Sequence, residues 1–302
     1  MTIPPRVYFY WSGEAFCFLN YLSVYSLLRK TPAATCEIHF RREPPPENRY
    51  WRLLRGTSGT TVREVDFPSL LQTCGMDGAE WTALSNGLSE AQASDVFRYL
   101  VLFVNGGVYA DLDMIFVRDF TPLLCEEFLV GFQISSQHRN LINGAVLGAP
   151  ARSPLIEMAL QEAIQLLRNR QKLRWGDLGP DLLTKILVKD CFRNRALVRC
   201  AKLAHKLRVG RTLADEMVFR FLQKNHDIPI RHRNCFYYRS WLSGEWEQIF
   251  DDPSVPAEAF AIHLWHKFSA DQMRAIDETN FRQTIRNPVL LTLCEDFVAA
   301  RS

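Results

Sequence analysis

The chain has 302 residues, of which 47% are hydrophobic and 23% charged, and a formal net charge of +3. That apolar fraction can build a sizeable core and excludes a disordered chain. The small positive excess is spread along the sequence rather than blocked, which excludes a nucleic-acid binder held by a basic patch.

Residues 6–11, RVYFYW, are a β-branched and aromatic run ending at Ser12-Gly13, so they read as a buried strand entering a turn. Residues 16–29 have helical spacing and stop at Thr31-Pro32. The apolar part of this segment, 15–28, is too short to span a bilayer, which takes roughly 20 residues. Asn20, Ser23 and Ser26 interrupt it and no charged region precedes it, so it reads as neither a signal peptide nor a transmembrane segment. Residues 36–40 read as a second strand, the Pro-rich 41–49 as a solvated connection, and the alternating 61–67 as a third strand. Strand and helix alternate, which points to an α/β fold with a mostly parallel, Rossmann-type sheet flanked by helices.

Residues 89–105 carry the clearest helix. Ser89 and Gln92 form a capping box, Ala93, Val96, Phe97, Leu100, Val101 and Val104 form an apolar stripe, and Gly106 suits a left-handed C-terminal residue. Asp95, Arg98 and Tyr99 share one helix face. After Gly106-Gly107 comes VYADLDMIFV, read as a strand with Asp111 and Asp113 one residue apart and therefore on one face. Two carboxylates facing one way repel unless a cation lies between them. A carboxylate pair is also common at strand ends without a metal, but an uncompensated charge in so apolar a strand is costly. For Asp95 and Arg98 the plainer reading is an intrahelical ion pair.

Further on, 128–132 and 142–149 read as strands, 154–170 as a helix and 175–180, WGDLGP, as a turn before a helix from Asp181. Residues 213–222 read as helical, and 228–241 as strand-like residues mixed with Arg and aromatics. Residues 259–268, AFAIHLWHKF, read as a late strand, and 287–299 as the last helix. No repeat or long linker divides the chain, so the expectation is a single domain over 1–302. The 8 Cys form no C-x-x-C pair, so a zinc site is unsupported. A core this large needs no staples, so the cysteines read as thiols in a reducing, cytoplasmic compartment, with a luminal or secreted chain as the alternative.

The block SDVFRYLVLFVNGGVYADLDMI, 94–115, resembles the signature of glycosyltransferases with a DXD sugar-binding region, a group that includes yeast-type α-mannosyltransferases, α-1,4-galactosyltransferases and, distantly, the clostridial glucosylating toxins. Asp95, Arg98, Tyr99, Gly106, Gly107, Tyr109, Asp111 and Asp113 each match the pattern. INGAVLGAP (142–150), LGPDLLT (178–184) and HLWHKF (263–268) resemble later family segments. The resemblance implies a GT-A-like fold, a Rossmann-type mixed sheet flanked by helices, with residues 1–150 binding the nucleotide-sugar and 151–302 elaborating the acceptor side. It implies a retaining hexosyltransferase that takes a UDP- or GDP-hexose as donor and a carbohydrate, lipid or protein as acceptor. Asp113 would ligate Mn²⁺ or Mg²⁺ with Asp111, and His263 (or, against its register, His266) would complete the set. Asp95 and Arg98 would bind the donor sugar, with Tyr99, Gly107 and Tyr109 beside them, and Trp11 would lie near the base. Asn143 and Asp181 are weaker candidates. Two other readings stay open: a degenerate nucleotide- or glycan-binding module, and a metal-dependent phosphoryl-transfer enzyme.

Overall fold

The structure is a computed structural model that describes residues 3–75, 77–133, 141–169, 172–193, 211–225, 228–241 and 244–301. Its strands are β1 (Arg6–Ser12), β2 (Thr35–Arg42), β3 (Thr60–Glu64), β4 (Gly107–Ala110), β5 (Met114–Phe116), β6 (Leu129–Phe132), β7 (Ile142–Ala149), β8 (Ile230–Arg231) and β9 (Ala261–His263). Its helices are α1 (Phe18–Lys30), α2 (Arg49–Arg55), α3 (Phe67–Thr73), α4 (Gly78–Ser85), α5 (Glu90–Asn105), α6 (Pro154–Arg168), α7 (Pro180–Arg193), α8 (Arg211–Asn225), α9 (His266–Ala275), α10 (Phe281–Thr284) and α11 (Pro288–Ala299). The chain divides into two compact units, each assembled from separate segments.

One unit comprises residues 5–65, 108–125 and 234–302. Its strands β1, β2 and β3 run parallel, with Tyr8 opposite Glu37 and Glu37 opposite Thr61. β4 joins β1 in parallel, Tyr8 opposite Tyr109. Val7, Phe9, Cys36 and Ile38 are buried, at no more than 1% exposure, as a central parallel sheet requires. α1 is buried along most of its length, which explains why its sequence lacks a clean polar face. β5 and β9 form a separate antiparallel ribbon, Met114 opposite His263. The last helix, α11, opens where Asn287 accepts hydrogen bonds from the Val289 and Leu290 N–H groups.

The other unit comprises residues 1–4, 66–107 and 126–233. β6 lies between β7, antiparallel to it, and β8, parallel to it. α5 begins at the predicted Ser89–Gln92 capping box and ends at Gly106, whose φ is +65°. A Cβ at Gly106 would come 2.5 Å from the Ala151 nitrogen, so only glycine fits both the backbone and the space.

The α/β expectation holds, with both parallel and antiparallel pairings among the described strands. Three local readings change. The third strand stops at Glu64 because Asp66 caps α3, accepting from the Ser69 N–H. The strand expected over 228–241 shrinks to β8, followed by a short 3-10 turn. The late strand ends at His263, because Trp265 takes a left-handed backbone (φ +57°) and α9 starts at His266.

Candidate active site

The Asp pair does not lie on one continuous strand. The run breaks between β4 and β5, and Asp111 to Asp113 form a turn closed by the Met114 N–H donating to the Asp111 carbonyl at 3.1 Å. The carboxylates converge because of this turn, and not through strand alternation as the sequence suggests. β9 runs alongside β5, and its Leu264 N–H donates to the Asp113 carbonyl at 2.9 Å. This pairing brings in His263 across 150 residues of sequence. Ligand atoms of Asp111, Asp113 and His263 all lie within 4.8 Å of one another.

Asp113 and His263 are each 6% exposed, and His263 Nε2 stands 3.2 Å from Asp113 Oδ2. The same Oδ2 accepts the His266 N–H at 2.6 Å, from the first residue of α9. Burial pushes the Asp113 carboxyl up, but the His263 charge, the His263 hydrogen bond and the His266 N–H outweigh it and hold the carboxyl at about 2. Tyr109, buried on β4, donates its hydroxyl to Asp111 Oδ1 at 2.6 Å. The second ring nitrogen of His263, Nδ1, is buried with no hydrogen-bond partner among the described residues. Two carboxylates and one imidazole, with ligand atoms this close together, fit a divalent cation such as Mn²⁺ or Mg²⁺. His266 contributes its backbone N–H, and its ring lies 6.2 Å from that of Trp11. Trp11 is partly exposed, meets Phe16 edge-on and donates its indole N–H to the Gly13 carbonyl at 2.9 Å.

The sugar-binding candidates on α5 belong to the other unit. Asp95 and Arg98 are each 5% exposed and form an ion pair at 3.1 Å. Glycine makes their space. A Cβ at Gly179 would come 2.5 Å from Asp95 Oδ1, and one at Gly144 would collide with the Arg98 guanidinium. Tyr99 is fully buried and donates to the Leu178 carbonyl at 2.9 Å, so it anchors the WGDLGP turn. Asn143 on β7 donates to Gln133 Oε1 at 2.7 Å and accepts the Ala145 N–H at 2.8 Å. The Asp181 N–H closes the turn onto the Gly176 carbonyl at 3.0 Å. Gly107 has φ +108°, a conformation that favours glycine.

Sequence reasoning missed the polar side chains of α1 and the two glycines that cradle the ion pair. Asn20, Ser23 and Ser26 recur every third residue inside an apolar helix, and that spacing was the available signal. Gly144 and Gly179 lie inside the family-like segments 142–150 and 178–184, but only the packed structure gives them a reason.

Residues 57–129 match the family model described as glycosyltransferase sugar-binding region containing DXD motif. The chain is similar to the DXD glycosyltransferases over that region. A lactosylceramide 4-alpha-galactosyltransferase from Mus musculus is 24% identical over 274 residues, covering 83% of this chain and 64% of its own length. An alpha-1,4-N-acetylglucosaminyltransferase from Homo sapiens is 23% identical over 193 residues, covering 62% of this chain and 46% of its own. The chain spans about half the length of several curated relatives it matches, 47% for the human lactosylceramide enzyme. The solved PaToxG glycosyltransferase superposes with a TM-score of 0.52 at 18% identity, over 75% of this chain and 81% of that one. That likeness supports the GT-A-like fold.

The expectation of a cytoplasmic chain is corrected by these relatives, which are luminal, Golgi-type transferases. The cysteine argument fails for a physical reason. A large core removes the need for disulfides in any compartment, and buried thiols are inert in any compartment. Cys36 and Cys294 are of that kind; burial pushes both thiols up, that of Cys294 to about 12. Among the described residues no helix is long and apolar enough to cross a membrane.

Proposed function

We propose that this chain moves a hexose from a nucleotide-diphosphate sugar to a glycan, lipid or protein acceptor with the help of a divalent cation. The observation that carries this reading is the convergence of Asp111, Asp113 and His263, two of them inside the matched sugar-binding region. These three residues would hold Mn²⁺ or Mg²⁺, which would neutralise the charge that builds on the departing diphosphate. Asp113 is ionised at neutral pH because its carboxyl is held at about 2. The Tyr109 hydroxyl orients Asp111, and the His266 N–H and His263 orient Asp113.

Asp95, Arg98, Tyr99 and Gly107 are the proposed donor-binding residues, supported by their positions in the matched region. Trp11, with part of its ring exposed, is the proposed neighbour of the donor base. Asn143 is proposed on the resemblance of its segment alone. The retaining outcome and the division into a donor side, 1–150, and an acceptor side, 151–302, belong to the same reading. The galactosyl- and N-acetylglucosaminyltransferases among its relatives make UDP-galactose and UDP-N-acetylglucosamine the first donors to try, and a lactose-bearing lipid the first acceptor.

The test is hydrolysis or transfer from a panel of UDP- and GDP-hexoses with Mn²⁺, comparing the wild type with Asp113→Ala. Turnover by the wild type alone is expected. Equal turnover by both proteins sinks the proposal, and nucleotide binding without turnover on any donor favours a binding module.

A further inference from the structure

α1 buries three polar side chains, Asn20, Ser23 and Ser26, each no more than 1% exposed. Such groups are costly unless bonded, and all three bond the backbone of the Asp turn and the strand after it. Asn20 Nδ2 donates to the Leu112 carbonyl at 2.8 Å, and Ser23 Oγ to the Met114 carbonyl at 2.7 Å. Ser26 Oγ accepts the Phe116 N–H at 2.9 Å. These residues fall three apart on one helix stripe and meet backbone groups two apart along one strand edge. The opposite edge of β5 is taken by β9. Helix side chains thus stand where another strand would satisfy the edge.

Asn20 differs from the two serines in its target. Leu112 is the residue between the two carboxylates, so its carbonyl fixes the peptide that joins Leu112 to Asp113. The amide is itself fixed, because Asn20 Oδ1 accepts both the Cys17 N–H and the Cys17 thiol at 3.1 Å. With the oxygen committed to Cys17, only the NH₂ group can face Leu112. We propose that Asn20 is a positioning residue of the Asp111–Asp113–His263 cluster, holding the intervening peptide so that the two carboxylates converge on one cation. The inference rests on reading that cluster as a divalent-cation site.

The decisive variant is Asn20→Asp. It keeps the shape and the acceptor for Cys17, and an acid is tolerated in the first turn of a helix. It sets a carboxylate oxygen against the Leu112 carbonyl and removes the donor. Thr31→Val is the control. Thr31 Oγ1 accepts the Phe120 N–H at 3.3 Å, a buried bond of the same kind away from the cluster. Mn²⁺ binding to the purified full chain is followed by electron paramagnetic resonance of the free ion, with thermal midpoints alongside. We expect Asn20→Asp to weaken Mn²⁺ binding about 10- to 100-fold, as loss of groups that orient metal ligands does. Thr31→Val should leave the affinity within about 2-fold, whatever its midpoint, because it touches none of the groups that orient the ligands. If Asn20→Asp does not fold, Asn20→Ala is read in the same way. Wild-type affinity in the Asn20 variant, or equal weakening in Thr31→Val, overturns the assignment and leaves the cation reading standing. A wild-type chain that binds no Mn²⁺, alone or with UDP, overturns both.

Discussion

Two buried groups of charged residues stand in contrast. Asp95 and Arg98 balance each other, and their unit closes around them with two glycines. Asp111, Asp113 and His263 bring two carboxylates against one imidazole, and one of the imidazole nitrogens has no hydrogen-bond partner among the described residues. A balanced pair is explained by the fold that holds it. Two carboxylates and an imidazole converging on one point also fit the cation proposed above. The same residue types therefore invite different tests, one of stability and one of binding.

The largest expected effect breaks the proposed cation cluster. Asp113→Ala should lower both Mn²⁺ affinity and donor turnover by about 100-fold or more, since the ion supplies several kcal/mol to the departing diphosphate. The fold should survive, because the backbone pairing of β5 with β9 does not depend on the Asp113 side chain. A folded variant that keeps wild-type Mn²⁺ affinity would erase the contrast.

Breaking the balanced pair should act on stability instead. Arg98→Ala removes the charged partner of a buried Asp95, and breaking a buried pair in this way costs about 3–5 kcal/mol, read from urea unfolding. Replacing both partners, Asp95→Leu with Arg98→Met, should recover most of that loss. A double variant that is stable yet no longer binds donor would sharpen the comparison, by assigning the pair a ligand as well as a structural role. Full stability of Arg98→Ala alone would contradict the account of this pair.

Next come the glycines. Gly179→Ala forces a methyl group against Asp95 and should cost about 1–3 kcal/mol, the range for overpacking. Thermal unfolding should shift down while Mn²⁺ affinity holds. The smallest effect is expected at the start of the same helix. Ser89→Ala removes one side of the capping box of α5 and should cost about 1 kcal/mol, also without touching Mn²⁺ binding. A change in metal affinity from either substitution would mean that the two groups are not independent.

The sequence discloses most where the determinants are local. The α5 boundaries follow from Ser89, Gln92 and Gly106, and the structure reproduces them. The two Asp residues were legible by type and spacing, and His263 by its alternation with Ile262 and Leu264. The turn that breaks β4 from β5 was not legible, because VYADLDMIFV is uniformly apolar around it. The end of β9 was hidden for a similar reason: a left-handed tryptophan has no sequence signature. Its ring is held by the Arg239 carbonyl, 2.8 Å from the indole nitrogen, and by the His263 ring 4.0 Å away. The support under the Asp turn was hidden by distance, since Asn20 and Leu112 are 92 residues apart.

The edge of β5 carries a consequence for how such a site can change over time. D-x-D is a short string that arises easily by chance, but here it is tied to a helix near the start of the chain. The pairs Asn20–Leu112, Ser23–Met114 and Ser26–Phe116 join side chain to backbone. The strand can therefore exchange side chains without losing these bonds, while the helix cannot. In divergent copies of this chain, the buried positions 112, 114 and 116 should accept other apolar residues of similar volume, and positions 20, 23 and 26 should resist loss of the polar group. Moving the Asp turn alone into another scaffold should carry over the carboxylates and leave behind what aims them.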